Sequence, residues 1–470
     1  MTRVETPPGD GPVPFSERAA RLGLTGGQIA VLLLSGAGAI WAWWSDPGLT
    51  AVLTIFAVQI AFLLTTAWRA MLLAASLKRP AKLEAPTRLP RYTVLVALYR
   101  EADVVPQLVE RLSRIDYPHD RLEGFLVLEA CDHDTEAATR QVEMPPWLTV
   151  LIAAPGPLQT KPRALNVGLE RATGELLAVY DAEDDPDPLQ LREAAARFEK
   201  DTAGAVWAVQ APLRVRTPAR SDSPFLDRQF AIEYASLFEV TLAGLSRLGL
   251  PFPLGGTSNH FRVDALRAVG GWDTHNVTED ADLGFRLWRA GGRLDVISRP
   301  THEPPPGGLQ HWLPQRTRWL KGYMQTWGVH TRDVRGLGWK GGVTLSMTLG
   351  AAIAAAALHA VSLAWIVATV GIAMAAGVPP ETPPFALTVL VTGVVAAWVN
   401  AAIGCRRAGL PYTLADMLTA PAYWSLLSLA FIHAAWRLVR EPFAWDKTVH
   451  FAEVAGDLTA LPSAAGREAA

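Results

Sequence analysis

Two kinds of hydrophobic pattern alternate along this chain. From Gly27 to Trp44 (GQIAVLLLSGAGAIWAWW) and from Leu49 to Trp68 (LTAVLTIFAVQIAFLLTTAW) apolar residues run on without a charge. Each run has about the length of a bilayer-crossing helix, roughly 20 residues. Gly341–Gly377 is a longer uncharged run, and Phe385–Cys405 and Met417–Trp436 add two more. The long run reads either as one tilted helix or as a hairpin turning near His359. That gives five or six spans. Six is the favoured count, because it returns the basic stretch RLVREP after the last run to the side on which the second run ends.

Between Lys78 and Lys340 the pattern changes to short apolar stretches separated by amphipathic ones. YTVLVAL (Tyr92–Leu98), GFLVLEA, LTVLIAA, ELLAVYD and AVWAVQA read as buried strands. VVPQLVERLSRI (Val104–Ile115), TEAATRQV, KPRALNVGLERATG and PLQLREAAARFEK, lying between them, have helical period. Pro106 fits only a first turn, and Gly174 fits a helix stop. Near-continuous apolar strands alternating with helices predict an α/β fold, a mostly parallel sheet covered by helices on both faces. In such sheets ligands bind beyond the carboxyl ends of the strands.

Composition fits this division. The chain has 470 residues, 50% hydrophobic and 19% charged, too apolar for an ordinary soluble protein and too charged for one that only spans membranes. The expected organisation is an N-terminal cytoplasmic segment (1–26), two transmembrane helices (27–77), a soluble domain with interfacial helices (78–340), a C-terminal membrane bundle of three or four helices (341–440) and a tail (441–470). Arg18 and Arg21 precede the first span. Arg69, Lys78, Arg79 and Lys82 follow the second, and the link SDPG has no basic residue. The soluble domain is therefore expected on the cytoplasmic face of the plasma (inner) membrane. The first apolar run is long and its flank is not strongly basic, so it is a poor cleavable leader. Cys131 and Cys405 are far apart and suggest neither a disulfide framework nor a thiolate metal site.

One charged stretch stands out. VYDAEDDPDP places Asp181, Glu183, Asp184, Asp185 and Asp187 at the end of the fourth strand, in a chain of net charge −2. Such crowding is repulsive. One reading is a solvated turn, with Asp185 and Asp187 capping the next helix. The other is a hard-cation site, where carboxylates hold Mg2+ or Mn2+ beside substrate phosphates.

Three further motifs favour the second reading. QTKPRALNVGL (Gln159–Leu169) lies between strands. NVTEDADLGFRLWRAGGRL (Asn276–Leu294) sets Thr-Glu-Asp before an amphipathic helix. LPQRTRWLKG (Leu313–Gly322) carries a Gln-x-x-Arg-Trp pattern just before an apolar run. In this order the motifs resemble the inverting family 2 glycosyltransferases, in particular the membrane-embedded processive synthases of the cellulose, chitin and hyaluronan type. The likeness covers roughly Tyr92–Gly322. It implies a GT-A nucleotide-diphosphosugar transferase fold inserted between transmembrane helices.

Site roles follow from the resemblance. VALYREAD matches a first-strand end at which the family usually has Pro-x-Tyr-Asn-Glu. Tyr99 and Glu101 fit this pattern, and Arg100 stands in place of the Asn. Glu129 or Asp132 matches a nucleobase contact, and the residues leave that choice open. Lys161 matches a lysine near the diphosphate. Asp181 is the first acid of an Asp-x-Asp motif, with Glu183 or Asp184 as the second metal ligand. Glu279 and Asp280 fall in the catalytic Thr-Glu-Asp, and Asp280 matches the general base. Taken alone that triplet would be a helix cap at Thr278. Gln315 matches a substrate-binding residue of the Gln-x-x-Arg-Trp pattern, and Arg318 matches the catalytic arginine that steadies the leaving diphosphate. Trp319 stacks on the acceptor sugar. By themselves Arg318 and Trp319 read as headgroup-level anchors of an interfacial helix. PLGGTSNHFR supplies an acceptor-side loop in which Gly255 and Gly256 permit close backbone approach. His260, His311 and His330 read as structural.

The activity this implies is inverting transfer of a sugar from a nucleotide donor, UDP-linked by expectation, onto a growing polysaccharide, with Mg2+ or Mn2+ as cofactor. The alternatives are a single-addition transferase acting on a lipid-linked acceptor and a non-catalytic membrane scaffold. Expected partners are the donor, a glycan or lipid-linked acceptor, the bilayer and accessory secretion subunits, with no nucleic acid.

Overall fold

The computed structural model describes residues 4–5, 23–78, 85–156, 158–216, 221–379 and 383–445. Arg18, Arg21, Arg79 and Lys82, used above for orientation, lie outside the described residues, as does the tail from residue 446. Helix α1 (Gly26–Ser45) is closed at its start by a Thr25–Gln28 capping box. Helix α2 (Pro47–Leu77) starts on the Asp46 side chain, which accepts from Leu49 N.

The apolar strands form where their pattern places them. They are β1 (Tyr92–Leu98), β2 (Leu122–Glu129), β3 (Leu148–Ala153) and β4 (Leu176–Tyr180). Next come β5 (Asp185–Pro186), β6 (Val206–Gln210), β7 (Leu213–Val215), β8 (Asn259–Arg262), β9 (Arg293–Val296) and β10 (Thr301–Glu303). The main sheet has the order β3-β2-β1-β4-β8-β6-β9, and the pair Val4–Glu5 adds on beside β3. Strands β1 to β4 are parallel, so Leu98, Glu129 and Tyr180 end on one edge. The sheet is mostly parallel, as expected, and is made mixed by one strand, since β8 runs antiparallel to both β4 and β6. Asn-His-Phe-Arg is too short and too polar to read as a strand. It is buried because His260 is bonded on one side to Tyr92 Oη at 2.8 Å and on the other to Gln190 Oε1 at 3.2 Å. A second sheet of order β5-β10-β7 folds over the β4 edge.

Helices α3 (Val105–Ser113), α4 (His133–Arg140), α5 (Lys161–Arg171) and α6 (Gln190–Lys200) follow the first strands as expected. After them come α7 (Pro224–Ser236), α8 (Glu279–Arg289) and α9 (Leu309–His330). The Gly341–Gly377 run does not turn back at His359. It belongs to one continuous helix, α10 (Arg335–Ala375). With α11 (Pro384–Ala408) and α12 (Leu414–Arg440), the described residues hold five helices long and apolar enough to cross a membrane, not six.

Helix α12 differs from the other four, since both of its ends are tied to the soluble domain. Near its start Asp416 accepts from Arg228 Nε at 2.9 Å, and its carbonyl accepts from Gln229 Nε2 at 2.9 Å. Just past its end Lys321 Nζ donates to Ala444 O at 2.6 Å, and Gln325 Nε2 to Pro442 O at 2.7 Å. This 27-residue helix is about 40 Å long, and by length and composition it also suits a membrane span. Leu414, Leu418, Leu429, Ile432, Trp436 and Val439 leave an exposed apolar stripe on its outer side.

The core is continuous between the domain and these helices. Leu165, Phe230, Leu283 and Trp312 pack in one cluster with Leu72 of α2, Ala356 of α10 and Tyr423 of α12. Apolar burial of this kind, at ~25 cal/mol per Å2, holds the soluble domain to the helices directly rather than through a linker.

Candidate active site

The carboxyl ends of β1, β2 and β4 open into a cleft of about 710 Å3. Its walls take in Tyr99, Glu101, Glu129, Lys161, Asp181, Glu183, Gly255, Gly256, Glu279, Asp280, Gln315, Arg318 and Trp319. Residues from Tyr99 to Trp319 are thus gathered in one place.

The acidic stretch divides its charges. Asp185 pairs with Arg114 at 2.5 Å and with Arg216. Asp187 accepts from Arg299 at 2.9 Å and from Leu189 N at 2.9 Å. Asp184 turns inward, fully buried, and clamps the turn by accepting from Asp181 N at 2.7 Å and from the Thr257 hydroxyl. Burial and the neighbouring acids raise its carboxyl well above the usual range. This leaves Asp181 and Glu183 on the cleft wall, and takes Asp184 out of the set of open carboxylates. Among the described residues no three His, Cys, Asp or Glu side chains form a ready metal site. Two carboxylates are still what a hard cation uses when substrate phosphates complete its shell, so Asp181 with Glu183 fits one.

Lys161, at the first position of α5, lies against these acids. Its Nζ pairs with Asp181 and donates to Gly256 O at 2.6 Å. Burial alone would lower its pKa, but Asp181, Glu279 and Asp280 together raise it, so the ammonium is firmly charged. Gly256 lies between these groups. A Cβ on it would lie 3.5 Å from Asp280 Oδ2 and 3.8 Å from both Asp181 Oδ2 and Lys161 Nζ, filling the space between them.

Thr278 does not cap α8 through its side chain. It packs against Gly322 of α9, where a Cβ would come within 2.3 Å of Thr278 Oγ1. The Thr-Glu-Asp turn and α9 therefore touch through a glycine. The two acids are distinguished by their surroundings. Glu279 is pushed up to about 8, first by burial and then by Asp280. Asp280 is also raised by burial, while Ala281 N, Lys161 and Arg318 oppose the shift. Both carboxyls are thus less acidic than usual, and Lys161 and Arg318 offset part of the shift in each.

Arg318 and Gln315 carry unspent bonding capacity. Among the described residues Arg318 Nε and Gln315 Oε1 are buried without a hydrogen-bond partner. The Arg318 guanidinium makes only a long 3.5 Å bond to Val277 O and lies 4.9 Å from the Trp445 ring centre. Buried polar atoms are seldom left unmatched, and these two face a cleft where an anionic, hydroxyl-rich ligand would match them.

Glu129 and Asp132 separate as well. Glu129 lines the cleft in an ion pair with Arg163 at 2.7 Å. Asp132 caps α4 at Thr135 N and accepts from Arg100 N, so its carboxylate serves the backbone. Arg100 has φ 56°, a left-handed conformation that suits Asn better. His330 is buried and bonded to Asp282 at 3.0 Å, whereas His311 reaches the cleft. Glu303, Tyr234, Phe230, Phe238 and Trp445 also line the cleft, and the sequence motifs did not indicate them. The available signal for Glu303 was an acid ending a short strand before Pro304–Pro306.

Fold and cleft define a transferase-like α/β domain in which an acidic strand end, the buried Asp280 carboxyl and the Arg318 guanidinium line one cleft. The model of glycosyl transferase family group 2 matches residues 176–439, and that of glycosyl transferase family 2 matches residues 93–243. The chain belongs to this family. A probable glycosyltransferase of Bacillus subtilis is 26% identical over 237 residues, 50% of this chain and 55% of its own length. A β-monoglucosyldiacylglycerol synthase of Synechocystis is 27% identical over 260 residues, 53% and 52% of the two chains. A poly-β-1,6-N-acetyl-D-glucosamine synthase of Staphylococcus aureus is 25% identical over 241 residues, 49% and 54%. The chain spans about half the length of the curated relatives it matches. The solved mannosyltransferase PcManGT of Pyrobaculum calidifontis, in complex with GDP-Man and Mn2+, superposes with a TM-score of 0.55 at 22% identity, covering 82% of this chain and 97% of the other. The fold is GT-A-like, with the mixed sheet described above.

Proposed function

We propose that this chain is a membrane-bound inverting glycosyltransferase, in which Asp280 deprotonates an acceptor hydroxyl as it attacks the anomeric carbon of a nucleotide-bound sugar. The observation that carries this reading is the meeting of Asp181, Lys161 and Asp280 around Gly256, with Arg318 on the same wall. Tyr99, Glu101 and Glu129 line the nucleotide end. Lys161 and Arg318 face the diphosphate, and charge-assisted bonds strengthen as negative charge builds on it. A Mg2+ or Mn2+ ion held by Asp181 and Glu183 would neutralise the leaving diphosphate. Trp319 offers a ring face to the acceptor.

For the acceptor, the reading favoured here is a single addition to a lipid-linked molecule rather than processive polymerisation. A polymer conduit needs helices closed around it. In the most apolar window of each of α1, α2, α10 and α11, at most 22% of residues are buried, so these helices mostly face outward. The cleft is lined by α9, whose Arg318 and Trp319 suit an interfacial helix, and in this reading that brings a headgroup within reach. Incubating membranes with a panel of nucleotide sugars and following released nucleotide should single out one donor, UDP-linked by expectation. A product one sugar longer than the acceptor supports single addition, and a ladder of lengths overturns it. Release from no nucleotide sugar would revive the scaffold alternative.

Topology follows from α12. If it lies in the membrane plane on the cytoplasmic side, the chain crosses four times, and the soluble domain, the Met417–Trp436 run and RLVREP share that side. In a Cys131→Ser background, Ala415→Cys and Glu441→Cys should both react with an impermeant maleimide in inverted vesicles only. Labelling of one of them in right-side-out vesicles would make α12 a span.

A further inference from the structure

Arg316 sits outside the cleft, three residues before Trp319 and on the same face of α9. Its guanidinium carbon lies 4.4 Å from the Trp319 ring centre, 4.9 Å from that of Phe230 and 5.6 Å from that of Trp312. The side chain is only 4% exposed. Its NH1 and NH2 donate to the two Glu233 oxygens at 2.8 and 2.7 Å, and NH2 also donates to the Tyr423 hydroxyl at 3.0 Å. The Tyr423 hydroxyl in turn donates to Glu233 Oε2 at 2.6 Å and accepts from Trp312 Nε1 at 3.2 Å. A planar fork bound at both prongs is fixed in orientation, and the ring stacked on it shares that orientation.

We propose that Arg316, Glu233 and Tyr423 form a positioning cluster that holds the Trp319 ring in the plane the acceptor meets. Arg316 comes from α9, Glu233 from α7 and Tyr423 from α12, so the outer helix takes part in setting the acceptor platform. This rests on the reading that Trp319 touches the acceptor. The cluster itself lines no part of the cleft; of the two cleft rings packed on Arg316, Trp319 and Phe230, the effect is assigned to Trp319. A lysine at position 316 keeps the charge but loses both the fork and the planar face. A phenylalanine at position 423 loses only the hydroxyl.

The test uses the full chain in membranes, with UDP-glucose as donor. The acceptors are diacylglycerol in phosphatidylglycerol vesicles in one arm and octyl-β-glucoside in the other. Arg316→Lys should raise the acceptor KM by about 10-fold, and Tyr423→Phe by about 3-fold, with nucleotide affinity within about twofold, since a displaced platform loses orientation rather than donor contacts. In a Trp319→Ala background neither change should raise the acceptor KM further, because the group they position is gone. A KM effect that persists in that background overturns the proposal, as does a parallel loss of donor affinity, which marks a merely structural role. If Trp319→Ala raises the acceptor KM and Arg316→Lys does not, the cluster fails and the acceptor reading stands. A normal acceptor KM in Trp319→Ala removes the acceptor reading and the cluster with it.

Discussion

Asp280→Asn should lower transfer by about 100-fold or more, the scale of a positioned general base, while nucleotide affinity stays near normal. The substitution is chosen for its shape. Asn can still accept the 2.7 Å bond that Asp280 Oδ1 takes from Ala281 N, so the first turn of α8 should persist. Only the basic oxygen on the Gly256 side is lost. Because burial raises the Asp280 carboxyl, the base loses its ionised form as pH falls through a value above the ordinary carboxylate range. The acid limb of the pH–rate profile should lie correspondingly high, and Asp280→Asn should remove it. Glu279→Gln is the comparison. Burial and Asp280 raise the Glu279 carboxyl, which favours its protonated form, so its amide should be tolerated far better. Transfer rate and nucleotide affinity measured on the same purified variant decide the matter. Near-normal transfer would falsify the base assignment, since α8 has no cap at Asp280 whose loss could compensate.

Removal of the cation should be comparably damaging. Excess chelator should stop turnover and Mg2+ or Mn2+ should restore it. Asp181→Asn should lower transfer by about 1,000-fold, the rate equivalent of the ~4 kcal/mol that a well-placed cation contributes to transition-state charge. Lys161 makes this more than a restatement of the motif. Its ammonium already pairs with Asp181, so one positive charge is present without a metal. Full activity in excess chelator would mean that Lys161 and Arg318 neutralise the diphosphate unaided, and the metal reading would fall. The neighbouring acids give the control. Glu183→Gln should weaken metal dependence, whereas Asp184→Asn should act on folding, because that side chain clamps the turn from inside. A Glu183→Gln protein with unchanged metal affinity would reopen the choice of second ligand.

Much of this was legible in the residues. The first four strands are apolar along their length and buried in the structure, so pattern and environment agree. The reading failed where burial was achieved by polar pairing. Asn259–Arg262 is a central strand because His260 finds Tyr92 and Gln190, and no period marks such a partnership. Helix α12 has the length and hydropathy of a span, and only its bonds to Arg228, Gln229, Lys321 and Gln325 hold both ends to the domain. Glu303 belongs to the cleft because β10 pairs with β5 and β7, a contact between distant segments.

The sequence by itself determined the kind of fold, the edge of the sheet where ligands bind, and the order of acids, Arg318 and Trp319 along the chain, because these depend on local period and on residue type. Tertiary structure decided which member of each acidic group is free to act. Asp185 and Asp187 are neutralised by Arg114, Arg216 and Arg299, Asp184 by Thr257 and a backbone amide, and Asp132 by two more amides. The Glu279 carboxyl is raised because it is buried beside Asp280. A carboxylate's role is set by the charges, donors and solvent within a few ångströms of it, and here those neighbours come from segments up to about a hundred residues away.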